Sequence, residues 1–150
     1  MSAADNFLAL EPELMERLRA QLTGLTPAVH VLSSADLAGV TEEKQLTPAV
    51  HLVYQGYRVT ESREDGAAAR IEQTWLVVVT TRNTRGLKAG DEARAQAGPL
   101  ASKVIAALMG WRAASATKAL HLVAGPGAGF SAGFQYLPLA FKAELLVKKA

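Results

Sequence analysis

The chain has 150 residues, 16 basic and 14 acidic, with a formal charge of +2 and 49% hydrophobic content. That is enough apolar material for one domain with its own core and too much for a disordered chain. The absence of cysteine excludes disulfides, thiol catalysis and cysteine-ligated metals, and the near balance of charge gives no electrostatic case for a nucleic-acid partner.

No window approaches the ~20 consecutive apolar residues of a membrane span. The polar, acidic residues 1–6 lack the basic start and apolar run of a secretory signal. The expectation from composition is a globular domain of the cytoplasm with no membrane partner.

In chain order, a short N-terminal tail (1–9) precedes Glu11-Pro12-Glu13, a helix start in which proline and acidic residues suit the first turn. Leu10, Leu14, Leu18 and Leu22 recur every four residues with Met15 beside them. They predict an amphipathic helix that ends near Gly24. Residues 28–32 read as a short strand, 33–37 as a turn or helical turn, and 41–45 as an exposed polar stretch. Pro48 opens a second strand over 49–57.

Residues 60–70 are the most polar segment. Lying between two strand patterns, they predict a long flexible hairpin loop. The run that follows, 73–83, is the centre of the sequence. Trp75, Leu76, Val77, Val78 and Val79 are all apolar and three are β-branched, so a strand is favoured. Its alternation puts Trp75, Val77 and Val79 on one face and Leu76 and Val78 on the other. Both faces are apolar, so both need cover, from helices on one side and from more protein on the other.

A turn at 82–86 leads to the longest helix candidate, 90–109, capped by Asp91 and supported by Glu92. Ala93, Ala97, Leu100, Ala101, Val104, Ile105 and Leu108 form its sheet-facing stripe, and Pro99 predicts a kink or a later start. Gly110 is the expected cap, with Trp111 tucked under the helix end. Residues 119–124 read as a strand, 125–133 as a flexible glycine-rich loop displaying Phe130, and 134–147 as a last strand. Pro138 predicts that this strand is an edge or bulged there. The order helix, three strands, helix, two strands predicts a single α+β domain: a largely antiparallel or mixed sheet of about five strands with two main helices packed on it.

Chemistry is sparse. The glycine loop has no following lysine and no following helix, so it is not a phosphate loop. His30, His51 and His121 lie in three different predicted strands, without the spacing of ligand pairs, although adjacent strands could bring them to one metal site. Ser33, Ser34 and Ser131 lack the context of a nucleophile elbow. The reading is therefore no enzyme, no cofactor and no metal, with a structural role favoured. A small enzyme or ligand-binding domain with a histidine-lined site is the alternative of a different class.

Several segments together resemble a known family: E-P-E-L-M-E-R-L (11–18), V-L-S-S-A-D-L-A-G-V (31–40), T-P-A-V-H-L-V-Y-Q-G-Y (47–57), T-W-L-V-V-V-T-T-R-N (74–83), A-G-P-L-A-S-K-V-I-A-A-L-M-G-W (97–111) and Y-L-P-L-A-F (136–141). Across residues 8–145 the chain is similar to the tail-terminator-like proteins of Mu-type tailed bacteriophages and prophages. The resemblance implies a small α+β subunit of a homo-oligomeric ring, commonly a hexamer, at the head-proximal end of the virion tail, assembled in the host cytoplasm. Such a ring caps the tail tube, stops its polymerisation, and meets both the tail tube protein and the head-tail connector protein. Another head-tail connector or tail-completion subunit is the nearest alternative. A ring needs heterologous contacts. The candidate interface residues are Trp75, Arg63, Glu64, Phe130, Tyr136 and Arg82.

Overall fold

The computed structural model describes residues 6–82 and 91–150, and within these the side chains of 91–94 are excepted. Of the turn expected at 82–86 only Arg82 is described, Gly90 lies outside the described residues, and the side chains of Asp91, the expected cap, of Glu92 and of Ala93 are among those excepted.

Helix α1 (Leu10–Leu22) buries Leu10, Leu14, Met15, Leu18 and Leu22, the stripe its four-residue spacing predicts. It is followed by β1 (His30–Ser33) and one helical turn, α2 (Ser34–Leu37). Ser33 and Asp36 close a reciprocal capping box on that turn: Ser33 Oγ accepts from the Asp36 N–H while the Asp36 carboxylate accepts from the Ser33 N–H at 2.8 Å. A 3₁₀ turn (Glu42–Lys44) leads to the long strands β2 (Ala49–Ser62) and β3 (Ala68–Arg82). Helix α3 (Asp91–Leu108), β4 (His121–Val123), β5 (Gly129–Ser131) and β6 (Phe134–Lys148) complete the chain.

The strands form one mixed six-stranded sheet in the order β1-β2-β3-β6-β4, with β5 also paired to β6. Only β1 and β2 run parallel; the other pairs are antiparallel. The α+β expectation stands, with one short strand more than the sequence suggested. Strand β3 lies at the centre, paired along its whole length with β6 and nearly so with β2. At 15 residues it spans about 50 Å.

Both long helices pack on one face of this sheet, and α1 also touches α3. Between helices and sheet lie Leu14, Leu18, Val104 and Leu108 against Val50, Leu52, Trp75, Val77, Val79 and Phe141, all at most 2% exposed. Helix α3 runs as one helix through Pro99, which lies on its exposed side. Ala97, Ala101 and Ala107 on its buried side let it approach the sheet closely.

Three expectations need revision. The loop drawn over 60–70 is shorter: β2 continues to Ser62 and β3 starts at Ala68, leaving 63–67 as the turn. Two bulges, between Tyr54 and Gly56 and between Val59 and Glu61, absorb extra residues in β2 and hide the alternation from the sequence. The glycine-rich loop over 125–133 contains β5, joined to β6 by Ala132-Gly133. Both residues have positive φ, 51° and 86°, as a two-residue turn matched to strand twist requires. Finally, the tail over 1–9 is structured from Asn6: Phe7 packs edge-on to Tyr57 at 5.1 Å and Ala9 is 3% exposed.

Pro138 meets Val78 of β3 on one side. On the other it falls between the β6 residues paired with β5 (134–136) and those paired with β4 (140–142). The strand is an edge at that point, and a residue with no N–H to donate is tolerated there.

Candidate assembly surfaces

The face of the sheet away from the helices follows from register. Leu32, His51, Val78 and Pro138 make one row across β1, β2, β3 and β6. Val53, Leu76, Ala140 and Val123 make the next, across β2, β3, β6 and β4. Leu32, Val53, Leu76, Val78, Val123 and Pro138 are all half-buried. An apolar belt therefore crosses the middle of the sheet face that carries neither long helix. Contiguous apolar surface of this kind marks an interaction site more often than chance.

Towards the β2–β3 turn the same face becomes ionic. Glu72 bridges Arg58 and Lys142, both at 3.0 Å, and Glu144 bridges Arg70 and Lys118, both at 3.3 Å. The lysine hydrogen bond, with Arg58 helping, holds the Glu72 carboxyl below the usual carboxylate range. For Glu144 the same direction comes first from the Thr117 hydroxyl, which donates at 2.8 Å, and then from Lys118 and Arg70. At the opposite end the connection after α2 folds over the sheet. Tyr136 donates its hydroxyl hydrogen to Glu42 at 2.6 Å and accepts from the Gln45 amide at 2.8 Å, and the Ser131 hydroxyl donates to Glu42 at 3.1 Å. Residues 41–45, expected to be simply exposed, thus tie down the end of the sheet where Thr80 and Phe134 are fully buried.

The six candidate interface residues fall into three places. Trp75 is 1% exposed on the helix side, in contact with Tyr54, and donates to Gln73 Oε1 at 3.1 Å. It is a core residue, and a buried ring offers nothing to a neighbour. Arg63 and Glu64 lie in the β2–β3 turn, where Arg63 pairs with Asp65 at 3.0 Å. Tyr136, Arg82 and Phe130 gather at the far end of the sheet. Tyr136 is half-buried and engaged with Glu42 and Gln45. Arg82 lies over the Phe134 ring at 5.1 Å, and Phe130 projects from β5 with 43% exposure.

The histidines do not converge. His30 is on β1 and His121 on β4, at opposite edges of the sheet, and His51 lies between them. Among the described residues no three histidine, aspartate or glutamate side chains are grouped to hold a metal ion. What the described surface offers is an apolar belt with charged and polar ends.

Comparison with known proteins gives the family of the chain. The family model described as Phage tail terminator protein matches residues 3–149, nearly the whole chain. The chain belongs to the phage tail terminator family. The resemblance drawn from scattered segments is therefore correct at the family level, and the protein is a structural component of a phage tail. No curated protein matches the chain. As a tail terminator family member it has no described helix long and apolar enough to cross a membrane.

The sequence reading missed several residues that organise these surfaces. Glu42, Gln45 and Gln73 look like ordinary polar residues, and their partners are 66 to 94 positions distant or, for Trp75, on the same strand face. Gln73 carried one usable signal: a polar residue in phase with Trp75, Val77 and Val79 must be buried and bonded.

Proposed function

We propose that this protein is the subunit of a homo-oligomeric ring, with six copies as the expected number, at the head-proximal end of the tail of a Mu-type phage or prophage. The ring caps the tail tube, ends its polymerisation and offers the surface on which the head connector sits. It works by shape and contact, without catalysis and without a cofactor. Family membership supports the location, and the observation that supports an assembling subunit is the half-buried apolar belt on the sheet face that carries neither long helix. A central strand that is apolar on both faces and helix-covered on only one is complete when a neighbour supplies the second cover. The charged turn at 63–67 and the polar cluster around Glu42 flank that belt and suit the less apolar contacts to tube and connector.

Light scattering on the purified protein, together with labelling of this protein in virions viewed by electron microscopy, tests the reading. The expected result is a ring in solution and label at the head-tail junction. Label at the distal tip, or a protein that stays monomeric at high concentration and is missing from virions, would overturn it.

A further inference from the structure

A cyclic ring needs two different patches on each subunit, placed so that one meets the other when the subunit is rotated about the ring axis. Two such patches occur at opposite edges of this sheet. The first is Phe130 on β5, the exposed aromatic at the β5/β6 edge. The second is an open pocket of about 250 Å³ at the β1 edge, lined by Leu25, Pro27, Val29, Pro48, Pro99 and Leu100, with Gln96 and Lys103 on its wall.

Register places the two at the same height. Phe130 pairs with Gln135, which pairs with Thr81 of β3. Thr80 pairs with Ala49, so Pro48, one residue earlier, lies level with Thr81, Gln135 and Phe130. They also share a face. Gln135 is in phase with Leu137, Leu139 and Phe141, and Pro48 with Val50 and Leu52, all on the helix side. The knob and the hole are thus level, on one face, and separated by four strand spacings, about 19 Å. The pocket is apolar and roomy enough for a phenyl ring.

We infer that Phe130 of one subunit inserts into the pocket between the 25–29 segment, Pro48 and α3 of the next, so that a second copy of this chain is the occupant and sheets join edge to edge round the ring. This rests on the ring reading above. An aromatic anchor in an apolar pocket is the kind of contact that dominates interface energetics.

The absence of native cysteine makes the test clean. In the Phe130→Cys/Gln96→Cys double variant, mild oxidation or a short bis-maleimide should give a ladder of covalent multimers that closes at the ring number. Either single variant should give none, and neither should Phe130→Cys with Arg63→Cys. Phe130→Glu should weaken association at least tenfold by light scattering while its circular dichroism and melting temperature stay those of the parent. A ring of parent protein without a cross-linked ladder would overturn this contact and leave the ring reading standing. A monomeric parent without a ladder would overturn both. Loss of folding in Phe130→Glu would mark Phe130 as core and likewise overturn the contact.

Discussion

Three buried polar side chains test how tightly this core is specified. Trp75 donates to Gln73 Oε1, and the Gln73 amide donates to the Phe7 carbonyl at 2.8 Å, so a chain of hydrogen bonds joins the central strand to the residues before α1. Trp75→Phe keeps most of the apolar contact and leaves the Gln73 oxygen, in a residue 0% exposed, without its donor. The expected cost is about 1–3 kcal/mol in urea denaturation, against about 3–5 kcal/mol for Trp75→Ala. His51 gives a pH signature. It is 6% exposed, its Nδ1 is 3.5 Å from Thr80 Oγ1, and burial pushes its pKa below the ordinary 6.5. The unfolded chain therefore takes up the proton first. Stability from the neutral ring is complete above pH 6.5, falls as pH drops below it, and levels off below the folded-state pKa. His51→Leu should flatten the loss of stability between pH 7 and pH 5, measured as the urea midpoint at each pH. Glu72 and Glu144, whose pKa values are lowered from 4.5, act in a separate window: their contribution is present above that value and is lost as pH falls through their folded-state values.

At the level of elements, the sequence was most legible where one period ran without interruption. The α1 stripe and the apolar run of β3 could be assigned residue by residue because burial on one helix face or in a central strand leaves a simple pattern. The ends of β2 and β3 were hidden for two reasons. Bulges at Gln55 and Thr60 break the period of two, and the pairing of Arg58 with Glu72 and of Arg70 with Glu61 and Glu144 lets charged residues sit in strands. Such side chains and bulges also discourage stray pairing along the outer edge of β2. The fold-over of Glu42 and Gln45 onto Tyr136 was not legible, since it depends on a contact across 91 or more residues. The turn at 63–67 makes the strand ends a testable feature. Gly66 has φ of 73°, and its N–H donates to the Arg63 carbonyl at 2.9 Å. Gly66→Ala meets no steric neighbour, so its expected cost of about 1 kcal/mol is backbone strain alone. Gly98→Ala, in the exposed side of α3 with open space around it, should instead raise stability by about 0.5–1 kcal/mol. Thermal melts of the two variants, expected to shift in opposite directions, check both the turn and the continuity of the helix.

For the whole molecule, adjacent residues of β3 separate folding from assembly. Val77 is 0% exposed beneath the helices, while Val78 is half-buried in the belt on the face that carries neither long helix. A glutamate at 77 would bury a charge with nothing to pair it, at a cost that exceeds the stability of most domains of this size. Val77→Glu should therefore fail to fold. At 78 the same side chain can reach water past Leu32 and Val53, so Val78→Glu should fold and melt within a few degrees of the parent. If the belt is covered in the assembled tail, that charge is desolvated only on assembly. The variant should then be lost from virions and leave tails of uncontrolled length in electron micrographs, although its monomer is sound. The same reasoning separates the belt from the edge contact: Phe130→Glu acts on ring closure in solution, whereas Val78→Glu acts wherever the open face is covered. A Val78→Glu protein that enters virions and terminates tails of normal length would show that this face stays bare in the finished particle.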